Sequence, residues 1–119
     1  MATILIVEDE KNLRMLYQEE LEDRGHQVLC ASDGVEGIRI AEKHQVDLVI
    51  MDISMPRMDD LEAMHKILSH DHDVPVIINS GYSEHKDRFM SWSAEAYIIK
   101  SADITPLMDA VDAALAKRG

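Results

Sequence analysis

Thr3-Ile4-Leu5-Ile6-Val7-Glu8-Asp9-Glu10 is the stretch on which the reading of this chain turns. Its first five residues are almost wholly apolar and rich in β-branched side chains, the pattern of a strand buried on both faces. The three that follow are acids. Strands covered on both faces belong to parallel sheets, so an acidic triad straight after one puts charge at the edge of such a sheet. Two more runs match the first: Val46 to Met51 (VDLVIM, with one polar break) and Val74 to Ile78 (VPVII). Gln27 to Ala31 and Ala96 to Ile99 are shorter candidates, nearer the sheet edges.

Helical patterns lie between these runs. Leu13, Leu16, Tyr17 and Leu21 fall at helical spacing, with Gly25 as a stop. Asp33 with Glu36 makes a capping-box-like start for a second helix reaching about His44. Asp59 with Glu62 does the same for a third, ending near Ser69. Ser83 is placed to cap a fourth, through about Trp92. Ile104, Leu107, Met108, Val111 and Leu115 form the apolar stripe of a fifth, capped by Asp103 or Thr105, and Pro106 is harmless in a first turn.

The expected architecture is therefore α/β, (βα)5, a five-stranded parallel sheet in the order 2-1-3-4-5 with helices on both faces, flavodoxin-like in class. Right-handed crossovers distribute the helices, and the switch point falls between strands 1 and 3. The chain has 119 residues and shows no repeat, linker or low-complexity tract, so one domain over 1–119 is expected. Hydrophobic residues make up 46% and aromatics only 4%, which makes the core aliphatic with methionine filler. The net charge of −11 disfavours binding to a phosphate backbone, which calls for a basic face. One cysteine, Cys30, excludes an internal disulfide and reads as a buried, inert thiol. No apolar run approaches a membrane span and the N-terminus has no signal-like pattern, so a cytoplasmic location, without membrane contact, follows by elimination.

Ligands of such sheets bind beyond the carboxyl ends of the strands. There the sequence places Glu8-Asp9-Glu10 after strand 1, Asp52 at the end of strand 3, Asn79-Ser80-Gly81 at the end of strand 4 and Lys100 after strand 5. The acidic triad alone is also what an opening helical turn favours; its meaning comes from the company of Asp52, Ser80 and Lys100. Clustered carboxylates bind a cation or hold a proton. Hard oxygens with open positions suit Mg²⁺, which keeps waters and completes its shell with phosphate oxygens. A metal and a lysine on opposite sides can neutralise a transferring phosphoryl group, and a carboxylate can attack it to form an aspartyl phosphate. Asp52, ending the central strand, is the candidate nucleophile. Ser80 can donate to a phosphoryl oxygen, and the backbone carbonyl near Ser54 can serve as a metal ligand.

These residues resemble the receiver domains of two-component response regulators over essentially the whole chain. The likeness is carried by Ile4 to Glu10, Ala31-Ser32-Asp33-Gly34, Asp47 to Asp52, Met55 to Asp59, Pro75-Val76-Ile77, Ser80-Gly81 and Tyr97-Ile98-Ile99-Lys100. It implies phosphoryl transfer from a histidine kinase or phosphotransfer protein to Asp52. It implies Mg²⁺ held by Asp9 and Asp52 with Glu8 helping through water, and Ser80 and Lys100 contacting the phosphoryl group. It also implies a switch in which Ser80 moves, Tyr97 changes rotamer, and the helix 4, strand 5 and helix 5 surface is read by a downstream protein target or a missing output domain. That surface would carry Tyr82, His85, Phe89, Trp92 and Tyr97.

Three positions depart from the family pattern: Ser101 where proline is usual, Asp60 where glycine is usual, and Ser93 at another usual glycine. A cis bond to a non-proline costs about 2.5–4 kcal/mol, so Lys100-Ser101 is expected trans with a re-shaped loop. Asp60 is expected to tolerate a left-handed backbone. Two other classes compete. A degenerate receiver would act as a phosphorylation-independent binding module. An α/β phosphatase would want a second acid two residues beyond Asp52, where Ser54 stands. His70-Asp71-His72-Asp73 reads as a solvated loop at the opposite end of the domain.

Overall fold

The computed structural model describes residues 1–53 and 58–118, the side chains of 52–60 and 118 apart. Strands and helices alternate: β1 Thr3–Glu8, α1 Lys11–Asp23, β2 Gln27–Ala31, α2 Gly34–Lys43, β3 Leu48–Ile53, α3 Met58–His70, β4 Val76–Ser80, α4 Lys86–Ser91, β5 Ala96–Ile99 and α5 Thr105–Arg118. The sheet is parallel throughout and ordered β2-β1-β3-β4-β5, as the sequence leads one to expect.

Strand alternation sorts the apolar residues into two cores. Leu5 and Val7 of β1, Val49 and Met51 of β3, and Val76 and Ile78 of β4 face one way, meeting Ala41, Leu61, Met64, Ile67 and Phe89 from α2, α3 and α4. Ile4, Ile6, Leu48, Ile50 and Ile77 face the other way, meeting Tyr17 and Leu21 of α1 and Leu107, Met108 and Val111 of α5. Each fully buried aliphatic stabilises the fold by about 1.5–3 kcal/mol before chain entropy is subtracted. α2 approaches β1 closely: a Cβ at Gly37 would stand 2.8 Å from Val7 Cγ2.

Local chemistry explains the boundaries. The polar break in VDLVIM is Asp47, which precedes β3 and clamps the start of β1. Its Oδ2 accepts from the Thr3 N–H at 2.8 Å and its own N–H donates to the Thr3 carbonyl at 2.8 Å. Asp33 Oδ1 accepts from the Glu36 N–H at 2.8 Å, while Glu36 Oε1 reaches back to the Ser32 N–H at 2.8 Å. At α5, Asp103 Oδ1 accepts from the Thr105 N–H, and these hydrogen bonds to Thr105, side chain before backbone, hold the Asp103 carboxyl below its ordinary range.

Several expectations need correction. β3 and β4 run two residues later than the apolar runs suggest, because the two strands take in the polar residues Asp52, Asn79 and Ser80. Leu16 is 45% exposed and off the packed face of α1. α3 begins at Met58, so Asp59 lies inside the helix instead of capping it, and Asp60 is helical with no left-handed demand. α4 has six residues; His85, whose side chain makes no capping hydrogen bond, stands at its N-cap where Ser83 was expected. Among the described residues no helix is long and apolar enough to cross a membrane.

Candidate functional site

At the carboxyl end of the sheet, the strand register lines up Glu8, Asp52 and Asn79 on three adjacent strands, with Ile98 next on β5. Ser80 lies one row further out, beside Ile53 and Ile99. Glu8 ends β1 with its side chain buried, 1% exposed, whereas Asp9 and Glu10 follow in the open turn before α1. A carboxylate taken out of water in this way is costly unless a counter-charge or hydrogen bonds reach it. Lys100 supplies charge: its Nζ lies 3.6 Å from Glu8 Oε1. β4 and β3 separate the two residues' strands, about 14 Å across the sheet at the usual strand spacing. The two side chains therefore meet over the ends of the strands between them, β4 and β3, the second of which carries Asp52.

Lys100 keeps this reach although Ser101 follows it. Among the described residues there is no cis peptide bond, so Lys100-Ser101 is trans, as expected. The Lys100 N–H extends the ladder by donating to the Ser80 carbonyl at 2.7 Å, and Ser101 Oγ accepts from the Asp103 N–H at 3.1 Å. The loop after β5 is thereby tied at both ends.

Ser80 is fully buried, and its Oγ accepts from the Tyr82 N–H at 3.1 Å. A hydroxyl that accepts still has its own proton to donate. The other end of the same residue is held too, because the Tyr97 hydroxyl donates to the Tyr82 carbonyl. Both candidate switch residues thus grip one stretch of the β4–α4 loop. Tyr97 is 8% exposed and packs at a tilt against Phe89, with ring centroids 5.9 Å apart. This corrects the expected partner surface: Phe89 and Tyr97 lie in the core, while Tyr82 and Trp92 are exposed and His85 is half-buried. Trp92 meets His65 of α3 edge-on at 5.3 Å.

The structure thus brings Glu8, Asp9, the Asp52 backbone, Ser80 and Lys100 to one rim, with Tyr97 beneath it on the α4 side. Ser54 and the side chain of Asp52 lie outside the described residues. The sequence places Asn79 at the end of strand 4 and Tyr17 on the first helix, but does not show that the two meet. Asn79 Nδ2 donates to the Tyr17 hydroxyl at 3.2 Å, a buried polar pair directly under the rim. A polar residue ending an apolar run, with a tyrosine on a packed helix face, is the signal that could have suggested it. His70-Asp71-His72-Asp73 lies at the α3–β4 connection, the far end of the sheet, with His72 and Asp73 exposed and Asp71 Oδ1 accepting from the Asp73 N–H.

The donor set at the rim, carboxylate oxygens with a lysine across from them, fits a small hard dication that retains waters. A family model described as response regulator receiver domain matches residues 4–112. The transcriptional regulatory protein PdtaR of Mycobacterium tuberculosis is 35% identical over 96% of this chain, which spans 57% of that protein. The response regulator ArlR of Staphylococcus aureus is 34% identical over 99% of the chain, which spans 54% of it. The chain therefore covers little more than half the length of these relatives. Among solved structures, the response regulator protein TrrA of Thermotoga maritima, in complex with Mg(2+)-BeF, superposes with a TM-score of 0.87 at 35% identity, covering 97% of this chain and 100% of that one. A receiver domain protein of Clostridium thermocellum gives 0.89 at 28% identity, covering 99% of this chain and 97% of its own.

Proposed function

Since this chain belongs to the response regulator receiver domain family, we propose that Asp52 accepts a phosphoryl group from a histidine kinase or phosphotransfer protein. Receiver domains are not enzymes in the ordinary sense; on this reading the chain catalyses only its own phosphorylation and dephosphorylation. The observation that supports it is the meeting of the Lys100 ammonium and the Glu8 carboxylate, 3.6 Å apart over the intervening ends of β4 and β3, the rim at which Asp52 ends its strand.

The step is a displacement at phosphorus. An Asp52 carboxylate oxygen forms the new O–P bond as the N–P bond of the phosphohistidine breaks, and the leaving imidazole takes up a proton. A carboxylate needs no general base to attack. Lys100 contributes positive charge to the phosphoryl oxygens, and the Ser80 hydroxyl donates to one of them. Asp9 and Asp52 would hold Mg²⁺, with Glu8 acting through water and the carbonyl near Ser54 as a further ligand. When bound, the ion neutralises charge on the transferring group and orients it.

Movement of Ser80 toward the phosphoryl group releases the Tyr82 N–H it now accepts from. Tyr97, holding the carbonyl of the same residue, is then free to change rotamer. The population shifts toward a different helix 4, strand 5 and helix 5 surface, read by a downstream protein or an output domain.

Incubation with phosphoramidate and MgCl₂, followed by intact-mass measurement, tests the assignment. One phosphoryl group should be gained by the wild type and none by Asp52→Asn. Full labelling of Asp52→Asn would refute it, and a wild type that never labels would favour a phosphorylation-independent binding module.

A further inference from the structure

Arg14 stands apart from the residues assigned to the chemistry, yet it holds the loop that carries them. Its Nη1 donates to the Glu8 carbonyl at 2.8 Å, and its backbone N–H donates to the Glu10 carbonyl at 3.0 Å. The residue between those two anchored carbonyls is Asp9. Arg14 is half-buried and forms no ion pair among the described residues, so its guanidinium serves the main chain and not a neighbouring acid. Its place in the opening turn of α1, where the helix dipole disfavours a cation, needs some other compensation, which the Glu8 carbonyl provides.

We propose that Arg14 is a positioning residue for the metal site: its side chain fastens the Glu8 carbonyl, while the first main-chain bond of α1 already holds that of Glu10, and together they fix the peptide geometry from which Asp9 projects, so that binding a divalent cation need not first order the β1–α1 turn. The inference rests on the reading of Asp9 and Glu8 as metal-holding acids. A ligand presented by a loose turn loses conformational freedom on binding, whereas one presented by a fixed turn has already lost it. Partners that orient metal ligands are worth about 10–100-fold in affinity. Charge alone predicts the opposite sign, because an arginine near the site repels Mg²⁺ and removing it would tighten binding.

That opposition gives the test. ¹⁵N-labelled wild type, Arg14→Gln and Arg14→Lys are titrated with MgCl₂ by NMR, following the Asp9 and Glu10 amides, and backbone order parameters are measured without metal. The dissociation constant should rise about tenfold in Arg14→Gln, the low end of the range for such partners. Arg14→Lys, which keeps the charge but not the forked donor, should weaken binding less. Order parameters at Asp9 and Glu10 should fall in Arg14→Gln while those in β3 and β4 hold. Arg14→Gln binding as tightly as wild type or tighter, or metal-free order parameters unchanged, would overturn the role of Arg14 and leave the metal site standing. A wild type whose Asp9 amide shows no saturable response to Mg²⁺ would overturn the metal site itself. Because Arg14 also acts electrostatically on Cys30, lowering a thiol pKa that burial raises, slower alkylation of Cys30 in Arg14→Gln independently reports that the guanidinium has been lost from this position.

Discussion

Exchanging the residues at two left-handed helix ends, Ser93→Gly and Gly25→Ser, should move stability in opposite directions. After α1, Gly25 has φ of 92°; its N–H donates to the Glu22 carbonyl at 3.0 Å and the next N–H, of His26, to the Leu21 carbonyl at 3.1 Å. After α4 the same pair of bonds recurs: Ser93, φ 76°, donates to Met90 at 3.1 Å and Ala94 donates to Phe89 at 3.1 Å. Both positions are exposed, and a Cβ at residue 25 meets nothing within 4 Å, so backbone conformation dominates the comparison. An L-residue in this region is disfavoured by roughly 1–2 kcal/mol, offset by roughly 0.5–1 kcal/mol because glycine loses more entropy on folding. The net effect is about 0.5–1 kcal/mol: a gain for Ser93→Gly and a loss for Gly25→Ser. For a domain of this size that is a shift in Tm of about 2–5 °C either way. Urea unfolding with an unchanged m-value measures it directly. Shifts of the same sign in the two variants, or none in either, would refute the reasoning.

Tyr17→Phe deprives the Asn79 amide of the hydroxyl it donates to inside the α1–α5 core, a loss of about 1–3 kcal/mol that urea unfolding should reveal and that wild-type stability would contradict. Burial, the largest cause, raises the Cys30 pKa above its ordinary 9.0, so iodoacetamide should modify the folded thiol more slowly than the urea-unfolded one at pH 8.5. The same shift sets a sign for stability: the contribution is whole below about pH 9, where the unfolded thiol is still protonated, and is lost as pH rises through the folded-state value. Equal alkylation rates in the two states would remove both expectations.

The sheet was legible because parallel strands need apolar residues on both faces, and runs such as Thr3 to Val7 have no other economical reading. β2 and β5 match their apolar runs residue for residue. What failed were boundaries set by polar residues. Asn79 and Ser80 resemble loop in sequence, yet β4 includes them because Tyr17 and the Tyr82 N–H satisfy their side chains. Asp59 was read as a cap, although Asp in a first turn is equally favoured one position inside the helix. The rim residues Glu8, Asp9, Ser80 and Lys100 were found by topology alone. The burial of Phe89 and Tyr97 was not, since an aromatic on a short helix or edge strand fits core or surface alike in sequence. Arg14 was invisible because nothing in a one-letter string announces a side chain that serves a carbonyl.

The alternation that sorts Leu5 and Val7 to one side of β1, and Ile4 and Ile6 to the other, governs how this chain can change length. One residue inserted or deleted within β1, β3 or β4 would trade the contents of the two compartments beyond that point. Val7, which nests against the bare backbone of Gly37, would be turned toward α1 and α5. Even-numbered edits keep the sides but slide the acids along the rim. A change in length should therefore be tolerated in the connections far better than in the strands, which are constrained by parity as much as by composition.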